Sequence, residues 1–569
     1  MIVCTAILLI FLREFTLPDP LRLRVSSPEI LSKHGIDTHL PNPDASRPVI
    51  ELHQDDHVYR DPMTQYLDWV VTADLLRPDG VLKKVYLING MFPGPSIEAR
   101  SGDTLIINVT NALQDESISI HWHGLHIHNK MDGVPGVTQY AISPGSTFTY
   151  NLTIPDDQSG TFWYHGHSGT SRADGLYGGF IVHAPSSHTS SRKAIDHKAS
   201  PALHSYKKDF LLLIGDWYHR SGDQVLAWYM RPGSFGNEPV PDSLLVNGEG
   251  HFNCSMAVPA RPVDCIERQT NLSYLSNVAT YRLRIVNTGS LAGLTLQFPN
   301  TTTLIQIDSN DIEPLQSPSI GILHPGQRID ILTSSNPLTS LTIHLDQKQH
   351  INRSFNLPNP ALSPTHTFPI SNTHNTIPHP KDTIDILSKI PSAQSLAKPP
   401  LTPPETHVLY TKVQKLSINH NIPYGFFNHT SWRPQSTPLT TVPTTEWDDN
   451  QLAVTTAPGT WVDLIVNNLD EGGHPFHLHG HSFYVMHVYE ASQGWGSYNP
   501  STDVIPPGLE SQSYNLSRAM LRDTIYVPSR GYAVLRFRAD NPGVWLFHCH
   551  ILWHWASGMA MLVHVGGGA

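Results

Sequence analysis

The sequence predicts an all-β chain built as three sandwich-type domains. Short runs rich in Val, Ile, Leu, Thr and aromatic residues recur along most of the chain, bounded by Gly, Pro, Asn and Asp. No stretch carries a sustained helical period. At 569 residues the chain exceeds what one hydrophobic core supports, and three domains of ordinary size fit it.

The first residues, "MIVCTAILLIFLREF", hold an apolar run from Ile2 to Leu12. It is too short for a bilayer and long enough for a signal-peptide core, so residues 1–17 are expected to be a secretory leader. A Pro-rich lead-in follows to about residue 60. Domain one is expected over 64–185, on strands such as "KKVYLING", "DTLIINVT", "TFTYNLTI" and "GGFIVHAP". The polar stretch "SSHTSSRKAIDHKAS" separates it from domain two, 208–355, which opens on "DFLLLIGDWY" and includes "YRLRIVNTG" and "QRIDILTSS". Residues 356–404 are rich in Pro, Ser, Thr and His and read as a poorly ordered linker. Domain three, 405–569, carries "TWVDLIVNNL", "SFYVMHVYE" and "AVLRFRA".

A net charge of −11 argues against nucleic acid and against a basic membrane-binding face. Charged residues make up 15%, against roughly 25% in an average soluble protein. N-x-S/T sequons at Asn108, Asn151, Asn253, Asn271, Asn300, Asn352, Asn428 and Asn515 offer sites for N-glycans, consistent with a secreted or cell-wall protein. Of four cysteines, Cys4 lies in the leader, and Cys254 and Cys265 stand close enough in sequence for a local disulfide or remain two buried thiols. The C-terminal "MLVHVGGGA" is too short and glycine-rich to read as a membrane anchor, so none is expected there.

Four H-x-H pairs stand out: His121/His123, His165/His167, His477/His479 and His548/His550. In a strand, residues i and i+2 project from one face, so each pair aims two imidazoles the same way. A lone pair is weak evidence and is usually structural. Four pairs exceed the needs of any single ion and imply a multinuclear centre between domains one and three. If His548 and His550 face that centre, Cys549 faces away from it. There it can meet His554, Met559 and His474, and two His, one Cys and a weak axial Met make a blue-copper electron-transfer set. Structural zinc favours more thiolates, and iron–sulfur clusters need cysteines that this chain lacks.

In these motifs, "HWHG", "WYHGH", "HPFHLHGH" and "HCHILWH", the chain resembles the multicopper oxidases: laccases, ascorbate oxidases and fungal ferroxidases. The resemblance covers roughly 64–355 and 405–569. It implies three cupredoxin-like Greek-key β-sandwich domains and four coppers: one type 1, one type 2 and two type 3. It assigns His474, Cys549 and His554 to type 1, with Met559 axial. His121 and His477 fall to type 2, and His123, His165, His167, His479, His548 and His550 to the type 3 pair. An axial Met, where many relatives have Leu or Phe, implies a lower potential and easily oxidised donors.

The resemblance also marks acids. Glu238 in "GNEPVPDSLLVNG" and Asp470, four residues before His474, match ferroxidase acidic positions, or serve as ordinary loop acids. Asp132 in "NKMDGVPG" matches a proton-handling acid near type 2 copper, or is a plain Asp-Gly turn residue. A second such acid is expected two residues after His550, where this chain has Leu552. The function expected is a laccase-like oxidase coupling one-electron oxidation of phenolic or pigment-precursor donors to reduction of O2 to water. The rival is a ferroxidase with Fe(II) as donor. A non-catalytic copper carrier would need only the site around Cys549.

Overall fold

In a computed structural model of the full chain, the described residues are 50–186, 206–270, 272, 275, 280–333, 338–346, 359–370, 383–387, 390, 399–511, 513–516 and 519–566. The expected leader, residues 1–17, lies outside them. Strands dominate; the longest helix among the described residues is Gly222–Tyr229, and none is long and apolar enough to cross a membrane.

Residues 64–183 form two four-stranded sheets packed as a sandwich. One holds Thr64–Leu76, Lys83–Ile88, Thr104–Asn111 and Thr147–Thr153; the other holds Ile97–Arg100, Ile120–His123, Gly160–Gly166 and Tyr177–His183. Thr104–Asn111 shows why the sequence folds this way. Its apolar residues alternate, and Leu105, Ile107 and Val109 are all fully buried while the residues between them are half-buried.

The second block is one eleven-stranded sheet curled around the apolar cluster of Phe210, Leu212, Leu283, Ile285, Ile329 and Ile331. Two of its strands fall within the segment expected to be a linker. Thr365–Pro369 pairs with Ser340–Leu345, and Thr383–Asp385 pairs in parallel with Asn310–Leu323. Within the segment expected to be a poorly ordered linker, 356–404, the described residues Leu362, Phe368, Ile370, Ile386 and Ile390 are buried in the same core. Burying those five side chains offsets the ordering entropy that the Pro/Ser/Thr composition suggested would win. Glu51–Leu52, in the lead-in, likewise pairs with Phe210 and Asp209 of this sheet.

The third block, 405–565, is a six-stranded and a five-stranded sheet sharing a core that includes Phe476, Phe547, Trp545 and Cys549. A buried charged ladder ties the three blocks together. Arg328 of the second block donates to both carboxylate oxygens of Asp523 at 2.6 Å, to the Thr161 carbonyl of the first at 3.0 Å, and its amide donates to Asp308 at 2.9 Å. Arg522 of the third block donates back to Asp308 at 2.7 Å.

Candidate metal centre

The four H-x-H pairs lie on four strands and the segments that follow them. Ile120–His123 pairs with Gly160–Gly166 so that His121 stands opposite His165, and His474–Leu478 pairs with Gly543–Cys549 so that His477 stands opposite His548. The first-block and third-block pairs meet: His121 stacks on His479 with ring centroids 3.8 Å apart, and His123 on His477 at 3.7 Å. His121, His123 and His165 bring ring nitrogens within 4.8 Å of one another, as do His121, His477 and His479, and His167, His479 and His548. His550 joins them through its ring contacts with His123 and His165.

The outer nitrogens are pinned. His121 Nδ1 donates to the Asp132 carbonyl at 2.9 Å, His477 Nδ1 to the Asp523 carbonyl at 2.9 Å, and His165 Nδ1 to the Gly166 carbonyl at 3.1 Å. His479 Nδ1 lies 2.9 Å from the Asp132 carboxylate. Each of these rings thus turns Nε2 inward. His123 is reversed: Nε2 meets Thr524 Oγ1 at 3.1 Å and lies 3.4 Å from Asp523, leaving Nδ1 inward.

This arrangement fits metal ions. Among the described residues, His121 Nε2, His123 Nδ1, His165 Nε2, His167 Nδ1 and His477 Nε2 are buried without a hydrogen-bond partner. An unpaired buried polar atom costs roughly 1–3 kcal/mol, so five converging nitrogens favour a group that takes their lone pairs. Burial first, then a neighbouring imidazole or the Arg172 guanidinium, holds His123, His165, His167, His479, His548 and His550 well below the usual histidine pKa. They are therefore neutral and ligand-competent at pH 7.

Cys549 points away from this cluster, as the alternation of a strand requires. Its sulfur lies 3.8 Å from both His474 Nδ1 and His554 Nδ1, which are 3.1 Å apart. Burial pushes the thiol pKa up, so only a cation held by the same three donors would keep it as thiolate. Met559 is fully buried beside them; its carbonyl accepts from the Cys549 amide at 3.0 Å and its amide donates to the His554 carbonyl at 2.9 Å. Both imidazoles face carboxylates on the solvent side. His474 Nε2 lies 3.0 Å from Asp470, and His554 Nε2 lies 3.3 Å from Glu238. Glu238 keeps 21% of its side chain exposed against 1% for His554, so the acid stands between solvent and the buried ring.

Asp132 is at once a turn residue and a site residue. Gly133 follows it at φ 83°, and a Cβ there would lie 1.8 Å from the Ile120 carbonyl oxygen, so the turn requires glycine. The turn carries the Asp132 carboxylate to within 3.2 Å of His121 and 2.9 Å of His479. Leu552 sits in the apolar core at 3% exposure and supplies no acid.

The sequence did not single out Asp523, Thr524 or Arg172. Asp523 lies in "LRDTIYV", where a charged pair interrupts an apolar strand, and that interruption was the available signal. Arg172 sits with Nη1 2.9 Å from His550 Nδ1 and Nη2 2.9 Å from the His550 carbonyl, on a turn that carries no sequence mark.

Two buried donor sets that share one strand, one of imidazoles and one of imidazoles with a thiol, make a β-sandwich chain with two adjacent candidate metal sites. The chain belongs to the multicopper oxidase family: profiles of that description match residues 70–187, 208–361 and 415–568. It is 32% identical over 522 residues to the iron transport multicopper oxidase FET3 of Gibberella zeae, covering 87% of this chain and 75% of that one. It is 30% identical to L-ascorbate oxidase of Cucumis sativus (89% of each chain) and to Laccase-1 of Cryptococcus neoformans (92% and 83%). A solved structure of a laccase from Botrytis aclada superposes with TM-score 0.72 at 26% identity, over 90% of this chain and 89% of that one. The family implies copper, and the three domains are cupredoxin-like sandwiches.

Proposed function

We propose that the protein is a laccase-like oxidase that takes electrons one at a time from organic phenolic donors and delivers them to O2. The observation that carries this reading is a cavity of about 870 Å³ whose wall includes Glu238, the acid 3.3 Å from His554. A space of that size, with Trp228 and Phe252 on its wall, suits an aromatic donor; an Fe(II) ion needs only oxygen ligands.

In this reading His474, Cys549 and His554, with Met559 beside them, hold one copper, and the eight cluster histidines hold three more. Bound there, copper supplies one-electron uptake at the cysteine site and O2 reduction to water at the histidine site. The chain does the rest. Glu238 orients a phenol and takes its proton, Asp470 fixes the His474 ring, and the Phe547-His548-Cys549-His550 backbone links the two centres covalently. The Asp132 carboxylate stands against His121 and His479, on the path by which protons would reach the site of O2 reduction.

A second reading has one specific observation in its favour: two carboxylates, Glu238 and Asp470, face the two imidazoles of the cysteine site, as a ferroxidase would require. O2 uptake by the copper-loaded chain separates the two. A higher kcat/KM for a simple diphenol than for Fe(II) supports the laccase-like reading; the reverse order makes the protein a ferroxidase. The Cys254–Cys265 disulfide is at home in an oxidising compartment, which supports an extracellular or cell-wall setting.

A further inference from the structure

The wall of the Glu238 cavity is unusual for a chain of net charge −11. Arg220, Arg231 and Arg261 all line it, and among the described residues none of the three guanidiniums makes an ion pair or hydrogen bond. The same wall carries three acids, each with partners of its own, and Asp242 also acts on Arg220 as an attracting charge. Asp264 pairs with Arg77 at 2.6 Å, Asp242 accepts from the His219 amide at 2.9 Å and from Asn359 at 3.2 Å, and Glu238 faces His554. Arg220 and Arg231 flank the Trp228 ring, at 5.9 and 5.4 Å from its centroid. Arg220 is half-buried, and its pKa is lowered first by burial and next by Arg261, so the cations crowd one another.

Arg261 reaches the cavity on the loop that the Cys254–Cys265 disulfide closes. That loop is fastened to the first block: the Leu82 amide donates to the Asp264 carbonyl at 2.8 Å, and the Ile266 amide to the Gly80 carbonyl at 2.9 Å. Trp228 and Tyr229 are neighbours on the Gly222–Tyr229 helix, and the Tyr229 ring lies 6.2 Å from that of His554. The arginines, the Trp228 ring and Glu238, the acid that faces His554, thus share one cavity wall.

We propose that this cavity selects a donor with an aromatic diphenol at one end and an anionic group, such as a carboxylate, at the other. The proposal rests on the organic-donor reading above. The anion docks on Arg220, Arg231 and Arg261, the ring lies against Trp228, and the diphenol reaches Glu238. Three guanidiniums without an ion-pair or hydrogen-bond partner among the described residues leave their N–H groups available to donate charge-assisted hydrogen bonds to such an anion. The step balances: two diphenols become two quinones, losing four electrons and four protons, and one O2 takes these to give two waters.

Dihydrocaffeic acid and its methyl ester test this, because the two-carbon spacer keeps their ring potentials alike. With the copper-loaded chain, the acid is expected to exceed the ester in kcat/KM by about tenfold or more at low salt, the gap narrowing as salt rises. Arg231→Gln/Arg261→Gln, both at exposed positions, should bring the acid-to-ester ratio near one. Calorimetry with the O-methylated, redox-inert acid should show binding that the double variant loses, which reads the site without turnover. Equal kcat/KM for acid and ester, or a ratio that the double variant leaves intact, overturns the anion site while the organic-donor reading stands. Oxidation of Fe(II) with neither diphenol oxidised overturns both.

Discussion

Asp132 makes two contacts that chemistry can separate. Its carboxylate sits against the outer nitrogens of His121 and His479, and in the proposed function it both orients these rings and stands where protons are consumed. Asp132→Asn keeps an oxygen acceptor for those rings and removes the acid. Copper content is expected to hold, while turnover near neutral pH falls by about 100-fold and recovers in part at lower pH. An unchanged pH–rate profile would reduce Asp132 to an orienting residue. The histidines were legible at this scale because a strand repeats every two residues, and four H-x-H spacings convert directly into faces. Asp523 and Arg172 were not, since their partners lie 400 and 378 residues away in sequence and only the packing of separate blocks brings them together. The departure at Leu552 was legible as a missing acid, and the apolar core around it gives the physical setting.

Among the elements, the loop between Cys254 and Cys265 does more than its sequence spacing indicates. The paired cysteines were readable as a possible disulfide; the bond is present, and the loop it closes forms one wall of the Glu238 cavity. Losing a bond that closes so short a loop costs up to about 3 kcal/mol in the chain-entropy account. Cys254→Ser/Cys265→Ser should therefore keep its copper and colour but show a raised KM for the organic donor with kcat little changed. A KM equal to the parent's would mean that the loop has no part in donor binding. At the same scale, the composition of 356–404 hides part of its structure. Its Pro, Ser and Thr residues mask five apolar side chains that are spaced too irregularly to show a period but bury in the second-block core.

For the whole molecule, the proposed function depends on the first and third blocks holding imidazoles neutral and close, with Arg328 of the second block tying them together. Six cluster histidines have folded-state pKa values depressed by burial, so they contribute stability above their unfolded value of about 6.5 and lose it as pH falls toward the folded ones. In the metal-free chain the unfolded state gains protons below about pH 6.5 that the folded state refuses. Its Tm should drop clearly between pH 7.5 and 5, and copper should raise Tm at pH 7.5. A flat metal-free Tm across that range would show that these rings are not buried as described.

The central claim is that one strand, Gly543–Cys549 with His550 after it, joins two separate copper-binding sets. Metal analysis of the intact chain and of Cys549→Ser tests it most directly. The account predicts about four copper ions per intact chain and about three in the variant, with the blue colour and oxidase turnover gone. About one copper in the intact chain and none in the variant would contradict it, leaving a single-site electron carrier.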